Sequence, residues 1–156
     1  MPTSPETGKY TPASSLVIRE ATVADADIVS DLLSELGYPW PPKIIAQRLE
    51  AFTRAGEIAL LAFDGDQALG LVTTHITPVL HRATGVGRIT AMVVTESARG
   101  RQVGRALVDE AERRLAASGC ALVEVTSNQS RVPAHAFYER LGYEKTSYRF
   151  KKSLDG

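Results

Sequence analysis

The sequence predicts a mixed α/β chain organised around one strand-to-helix junction, and three observations lead there. The apolar run Ala91-Met92-Val93-Val94 leads into Ala98-Arg99-Gly100-Arg101-Gln102-Val103-Gly104-Arg105-Ala106-Leu107-Val108, a loop of small residues and arginines that opens a strongly periodic helix. Strand and helix patterns follow one another as strand, two helices, three strands, helix, strand, helix, strand. Finally, 156 residues with 44% apolar content suffice for one domain to bury its own core.

Residues 1–14 are rich in Pro, Thr, Ser and Gly, so a flexible arm is expected there, followed by a single domain over residues 15–156. Leu16-Val17-Ile18-Arg19 reads as the first strand. Thr22 with Asp25 forms a helix-start pair, and Ile28, Val29, Leu32, Leu33 and Leu36 trace one helical face that Gly37 ends. Tyr38-Pro39-Trp40-Pro41-Pro42 is a stiff aromatic connector, read either as a structural corner or as a wall of a substrate pocket. Pro42 suits the first turn of a second helix, with Ile44, Ile45, Leu49 and Phe52 as its stripe before Gly56.

Glu57 to Phe63 and Ala68 to His75 form a hairpin about the Asp64-Gly65-Asp66 turn signal, and Arg88 to Val94 is the next strand. The helix after the arginine loop places Leu107, Val108, Ala111 and Leu115 on one face. Asp109 with Arg113 and Glu110 with Arg114 form favourable i,i+4 pairs on the other. Ala121 to Thr126 reads as a buried strand, Pro133 begins a helix with Ala136, Phe137 and Leu141 on its apolar side, and Tyr143 to Phe150 is expected to close the sheet.

Charge and cysteine content narrow the function. Eighteen basic and eighteen acidic side chains cancel, so no global field draws the chain to nucleic acid or to a membrane, and only Arg99, Arg101 and Arg105 speak for a nucleic-acid module. The single Cys120 has no metal-ligand spacing around it, which predicts no metal site and fits a reducing, cytoplasmic setting. Neither a signal peptide nor an apolar run near the ~18 to 20 residues of a membrane span is evident.

A helix start after a glycine-bearing loop is an anion site, because its unpaired N–H groups and dipole favour negative charge. A nucleotide-triphosphate loop would need Lys and Ser or Thr after its last glycine, whereas Arg105-Ala106 follow Gly104. The glycine spacing also fails the dinucleotide fingerprint.

The loop does resemble that of the GCN5-related N-acetyltransferases: Arg99, two residues, then Gln102 where the first glycine usually stands, Val103 and Gly104. The later run Asn128, then Ala134-His135-Ala136-Phe137-Tyr138-Glu139-Arg140-Leu141-Gly142-Tyr143, is similar to the family's late helix and turn. Within the family, the coenzyme half is most similar to the aminoalkylphosphonate acetyltransferase branch, which also lacks the first loop glycine.

The resemblance implies an α/β (α+β) fold with a central mixed, mostly antiparallel sheet of six to seven strands, splayed between strands 4 and 5 and flanked by about four helices. It implies acetyl-CoA as cosubstrate, with the pyrophosphate cradled by Arg99, Gly100, Arg101, Gln102, Val103, Gly104 and Arg105. The pantetheine arm would lie along Met92, Val93 and Val94 with Asn128 near its other side, and backbone N–H near Met92 or Val93 would serve the oxyanion. Tyr138 resembles the general acid. Many members carry a carboxylate base on the fourth strand, where this chain has Arg88, Thr90 and Met92. His75 and His81 are then the candidate bases, with Glu35 and Glu57 as unplaced alternatives and His135 expected to be exposed. A small primary amine is the expected acceptor and, by family habit, a homodimer the expected assembly. The missing acid leaves open an idle acyl-CoA sensor on the same fold. If Gln102 sits at positive φ, the loop departs from ordinary helix-entry geometry.

Overall fold

The computed structural model describes residues 15–127 and 132–155. The expected arm, residues 1–14, and Asn128 therefore lie outside the described residues. The chain divides into two compact units, one ending at Glu124 and the other beginning at Val125.

The sheet runs in the order β1 (Leu16–Glu20), β2 (Ile58–Asp64), β3 (Gln67–Thr77), β4 (Val86–Val94) and β5 (Val123–Val125), all of it in the first unit but for Val125. Strands β1 to β4 are successively antiparallel. The β2–β3 hairpin closes tightly, with Asp64 opposite Gln67 across Gly65-Asp66 as the Asp-Gly signal predicts. β5 follows helix α3 (Val103–Ala117), the crossover connection that a parallel neighbour requires and that makes the sheet mixed. Gly87 N–H donates to Leu122 O at 3.0 Å, and Arg88 meets Glu124 at 3.2 Å, so β5 lies beside the first half of β4.

Helices α1 (Ala26–Leu36) and α2 (Pro42–Ala55) follow β1 and are joined by the proline-rich connector. Their stripes Val29, Leu32, Ile45 and Leu49 pack with Ala59, Leu61, Phe63, Leu71 and Val93. The strand residues in that set alternate, as one buried sheet face demands. Helix α3 buries Val103, Leu107, Val108, Ala111 and Leu115, its predicted stripe plus one residue. It approaches so closely that a Cβ on Gly70 would lie 2.9 Å from Leu107 Cδ1 and 2.9 Å from Val93 O.

The entry to α1 is fixed by charge. Arg19 donates to both oxygens of Asp25 at 2.8 and 2.9 Å, and Thr22 N–H donates to Asp25 Oδ2 at 2.8 Å. The Arg19 guanidinium, with the Thr22 N–H assisting, holds the Asp25 carboxyl down to about 2.

In the second unit, helix α4 (Val132–Arg140) ends in a turn where Tyr143 N–H donates to Tyr138 O at 3.0 Å. The Tyr138 ring packs edge-on against Phe137 and Tyr143, with centroids 5.1 and 5.7 Å away.

Four expectations are corrected. Among the described residues the sheet has five strands rather than six to seven. Residues 143–150 form no strand, and Tyr148 and Phe150 stand exposed. Alternating aromatic and polar residues there fit a pleated surface, but a strand exists only through its partner, which local pattern does not specify. The strand expected over Ala121 to Thr126 shrinks to the three half-buried residues of β5. On α3, Arg113 pairs with Glu110 rather than Asp109, so that Glu110 accepts from both Arg113 and Arg114.

Candidate active site

The arginine loop is assembled by bonds on either side of a short turn. Thr95 N–H donates to Leu69 O at 2.9 Å, which fastens the end of β4 to β3. Glu35, at the end of α1, accepts from Thr95 Oγ1 at 2.8 Å and from Glu96 N–H at 3.3 Å. Buried Ala98 then carries the chain to Gly100 at φ +84°, and Arg101 N–H donates back to Ala98 O at 3.2 Å.

Gln102 follows at φ 64°, ψ 16°, the one non-glycine residue with positive φ among the described residues. It thus occupies the left-handed conformation that glycine fills without strain, and its carbonyl accepts the first helical bond, from Ala106 N–H at 3.1 Å. The N–H groups of Gln102, Val103, Gly104 and Arg105 find no acceptor among the described residues. They are the leading donors of a 15-residue helix. Arg101 N–H, bonded to Ala98, is not part of that set.

The three arginines are placed differently. Arg99 Nε reaches Val94 O at 3.4 Å, Arg101 forms a 2.7 Å pair with Asp64, and Arg105 is exposed without a partner among the described residues. Val93 is buried and Met92 and Val94 are half-buried at the end of β4. β5 runs only to Val125 from its contact at Gly87, so it does not extend along the Met92–Val94 stretch. Just before that stretch the ladder slips: Thr73 opposes Ala91 while Thr74 opposes Ile89, leaving Thr90 as an extra residue on β4. Such a bulge re-aims backbone N–H groups locally. Here Thr90 Oγ1 lies 2.7 Å from Thr73 Oγ1.

The two candidate histidines separate. His75 Nδ1 is 2.7 Å from Glu57 Oε1 on the edge of β3, and His75 stands opposite Arg88 in the ladder. His81 lies in the exposed turn between β3 and β4, with no partner among the described residues. His135 on α4 is half-buried rather than exposed. Tyr138 is the buried residue of α4, 9% exposed. In the connector, Ser30 Oγ donates to Trp40 O at 2.7 Å, and the Arg48 guanidinium stacks 4.4 Å from the Trp40 ring.

A cleft of about 160 Å³ lies between the end of α2 and the start of β2, with Glu20, Phe52 and Glu57 in its lining. It sits at the opposite end of β2 from Asp64 and its arginine partner, so it is not the anion loop.

Thr95, the Thr90 bulge and the role of Glu35 were not readable in the sequence. The Glu35–Thr95 bond joins residues 60 apart, and no local pattern announces it.

The family model described as "Acetyltransferase (GNAT) family" matches residues 26–143. The chain belongs to the GNAT acetyltransferase family. An aminoalkylphosphonate N-acetyltransferase of Salmonella typhimurium is 35% identical over 94 residues, covering 60% of this chain and 61% of that protein. An N-alpha-acetyltransferase, MAK3, of Arabidopsis thaliana is 30% identical over 100 residues, 64% of this chain and 52% of that protein. The matched stretches thus span about half to three fifths of these GNAT relatives. An aminoglycoside N-acetyltransferase solved in complex with CoA shares the GNAT fold at a TM-score of 0.81 with 17% identity, covering 90% of this chain and 95% of its own.

Proposed function

We propose that this chain is an acetyl-CoA-dependent N-acetyltransferase that transfers an acetyl group to the primary amine of a small molecule by direct attack within a ternary complex. The observation that carries the reading is the row of four N–H donors from Gln102 to Arg105, held open at the start of α3 by the positive φ of Gly100 and Gln102. A pyrophosphate fits such a row, because the leading N–H groups and the dipole of a helix start favour an anion, and Arg105, without a partner among the described residues, adds charge nearby. The residue at position 102 keeps its N–H although glycine is absent, so the departure from the family pattern alters the strain of the loop and not its donors.

The remaining assignments follow the chemistry. The Met92–Val94 backbone, which β5 does not flank, is proposed to pair with the pantetheine amides, with Asn128 assigned to the other side of that arm by motif. The N–H of Met92 or Val93, next to the Thr90 bulge, is proposed as oxyanion donor. Tyr138 is assigned the proton of the departing thiolate on its motif. In the balanced reaction an ammonium gives one proton to a base, the amine lone pair forms the C–N bond, and the C–S pair leaves on sulfur. The second N–H proton offsets the one that Tyr138 gives to the thiolate. His75 is favoured over His81 as the base because it alone of the two has a carboxylate partner among the described residues. The aminoalkylphosphonate relative suggests a small amine that also carries an anion. A homodimer and a cytoplasmic setting complete the proposal.

The test follows free thiol release from acetyl-CoA over a panel of primary amines that includes aminoalkylphosphonates, beside a thermal shift with coenzyme A. Amine-dependent thiol release is expected. A coenzyme-induced shift with no turnover on any amine would favour the second reading, an acyl-CoA sensor, which the absence of an acid among Arg88, Thr90 and Met92 motivates. Neither shift nor turnover would remove both readings.

A further inference from the structure

We propose that Glu57 is a positioning residue that fixes the tautomer of His75, so that His75 presents Nε2 as the proton acceptor for the amine. The inference rests on the acetyltransfer reading above. It begins from a geometry that neither family motif contains. Glu57 immediately precedes β2 and His75 lies on β3, where their side chains meet at 2.7 Å between Oε1 and Nδ1. A carboxylate only accepts, so the hydrogen in that bond sits on Nδ1, and the neutral ring then carries its lone pair on Nε2. In water the imidazole has no such constraint, and the choice is imposed by the partner. The glutamate is well placed to impose it: its side chain is 18% exposed whereas that of His75 is 45% exposed, so one end of the pair is anchored and the other meets solvent and substrate.

The surroundings agree. The charged group opposite His75 in the ladder is Arg88, which is paired with Glu124 at 3.2 Å and so is engaged away from the histidine. Thr73, two residues before His75 and on the same face of β3, is bonded to Thr90 at the bulge. The dyad is therefore about 10 Å along the strand from the level of Met92, which stands opposite Val72, so the amine proton would reach it through a short chain of waters. One proton from the ammonium would pass to Nε2, and the imidazolium formed would be stabilised by the Glu57 carboxylate until the proton is lost to solvent. His81, exposed in its turn, has nothing among the described residues to fix its tautomer.

Glu57→Gln is the informative change, because an amide of the same shape can donate to Nδ1 and invert the tautomer. The ¹⁵N spectrum of the imidazole groups, recorded at about pH 8.5 where histidine is ordinarily neutral, reads the tautomer directly, and a His75→Asn variant assigns the signal. The wild-type protein is expected to show Nδ1–H at His75, and Glu57→Gln to move it toward Nε2–H. On the best amine of the panel, kcat is expected to fall tenfold or more, with KM for acetyl-CoA within about twofold, and Glu57→Asp is expected to recover part of the loss. An Nε2–H tautomer in the wild-type protein, or an unchanged kcat in Glu57→Gln, would overturn the proposal. The tautomer measurement needs no turnover. If no amine is acetylated, the acetyltransfer reading falls while the spectrum still decides whether Glu57 sets the ring.

Discussion

Replacing Gln102 with glycine relieves a conformation that only glycine adopts freely. At φ 64° and ψ 16° the glutamine is left-handed, it is exposed, and its side chain makes no capping hydrogen bond, so nothing is lost with it. The left-handed region costs a residue with a Cβ about 1–2 kcal/mol, and glycine forfeits about 0.5–1 kcal/mol of that gain through its freer unfolded chain. The net expectation is a stabilisation of about 0.5–1 kcal/mol, which for a chain of this size raises Tm by about 1–4 °C. Thermal unfolding of a series at this position checks it. Gln102→Ala should remain close to the parent, since it has the same backbone penalty, and Gln102→Val should fall below it because branching at Cβ worsens the crowding. Coenzyme A affinity of Gln102→Gly should stay within about twofold, because the N–H is retained. A glycine variant less stable than the parent, or a valine variant equal to it, would show that the left-handed backbone at position 102 carries no such strain.

Asp25, held at about 2 by Arg19, contributes stability that is present above the usual carboxylate range and is lost as pH falls from about 4 toward 2. After allowance for solvent around the half-exposed Arg19, Asp25→Asn should cost about 1–2 kcal/mol at pH 7, and urea unfolding should show the difference from the parent shrinking across that acid window. Gly70→Ala places a methyl 2.9 Å from both Leu107 Cδ1 and Val93 O, the latter being backbone that yields poorly. A loss of about 1–3 kcal/mol is expected, read as a lower denaturation midpoint with an unchanged slope. Glu35→Ala frees Thr95 and Glu96 at the entry to the anion loop. KM for acetyl-CoA should rise by about three- to tenfold, on the order of 1 kcal/mol of hydrogen bonding, with kcat at saturation nearly unchanged.

Sequence pattern reached the parts of this structure that are local. The stripe Leu107, Val108, Ala111 and Leu115 is buried on α3, Pro42 opens α2, and the Asp64-Gly65-Asp66 signal closes the hairpin, because each depends on periodicity or turn chemistry within a few residues. What escaped was set by distant partners. Tyr143 to Phe150 has the alternation of a strand but forms none, and Ala121 to Thr126 is paired only over its middle. The bulge at Thr90 arises from register against β3, and Glu35 reaches Thr95 across 60 residues. At the candidate site, the arginine loop was legible as an anion-binding helix start, and Gln102 was visible as the departure whose backbone mattered. Which N–H groups stay available, and that Glu57 rather than any neighbour in sequence meets His75, depended on the fold.

The central claim is that the N–H groups at the start of α3 receive the pyrophosphate of coenzyme A. Amide chemical shifts recorded during a titration of the ¹⁵N-labelled protein with coenzyme A test it most directly. The largest downfield shifts are expected at Gln102, Val103, Gly104 and Arg105, absent when pantetheine, which has no phosphate, replaces the coenzyme. Coenzyme binding that leaves those four amides unmoved would contradict it.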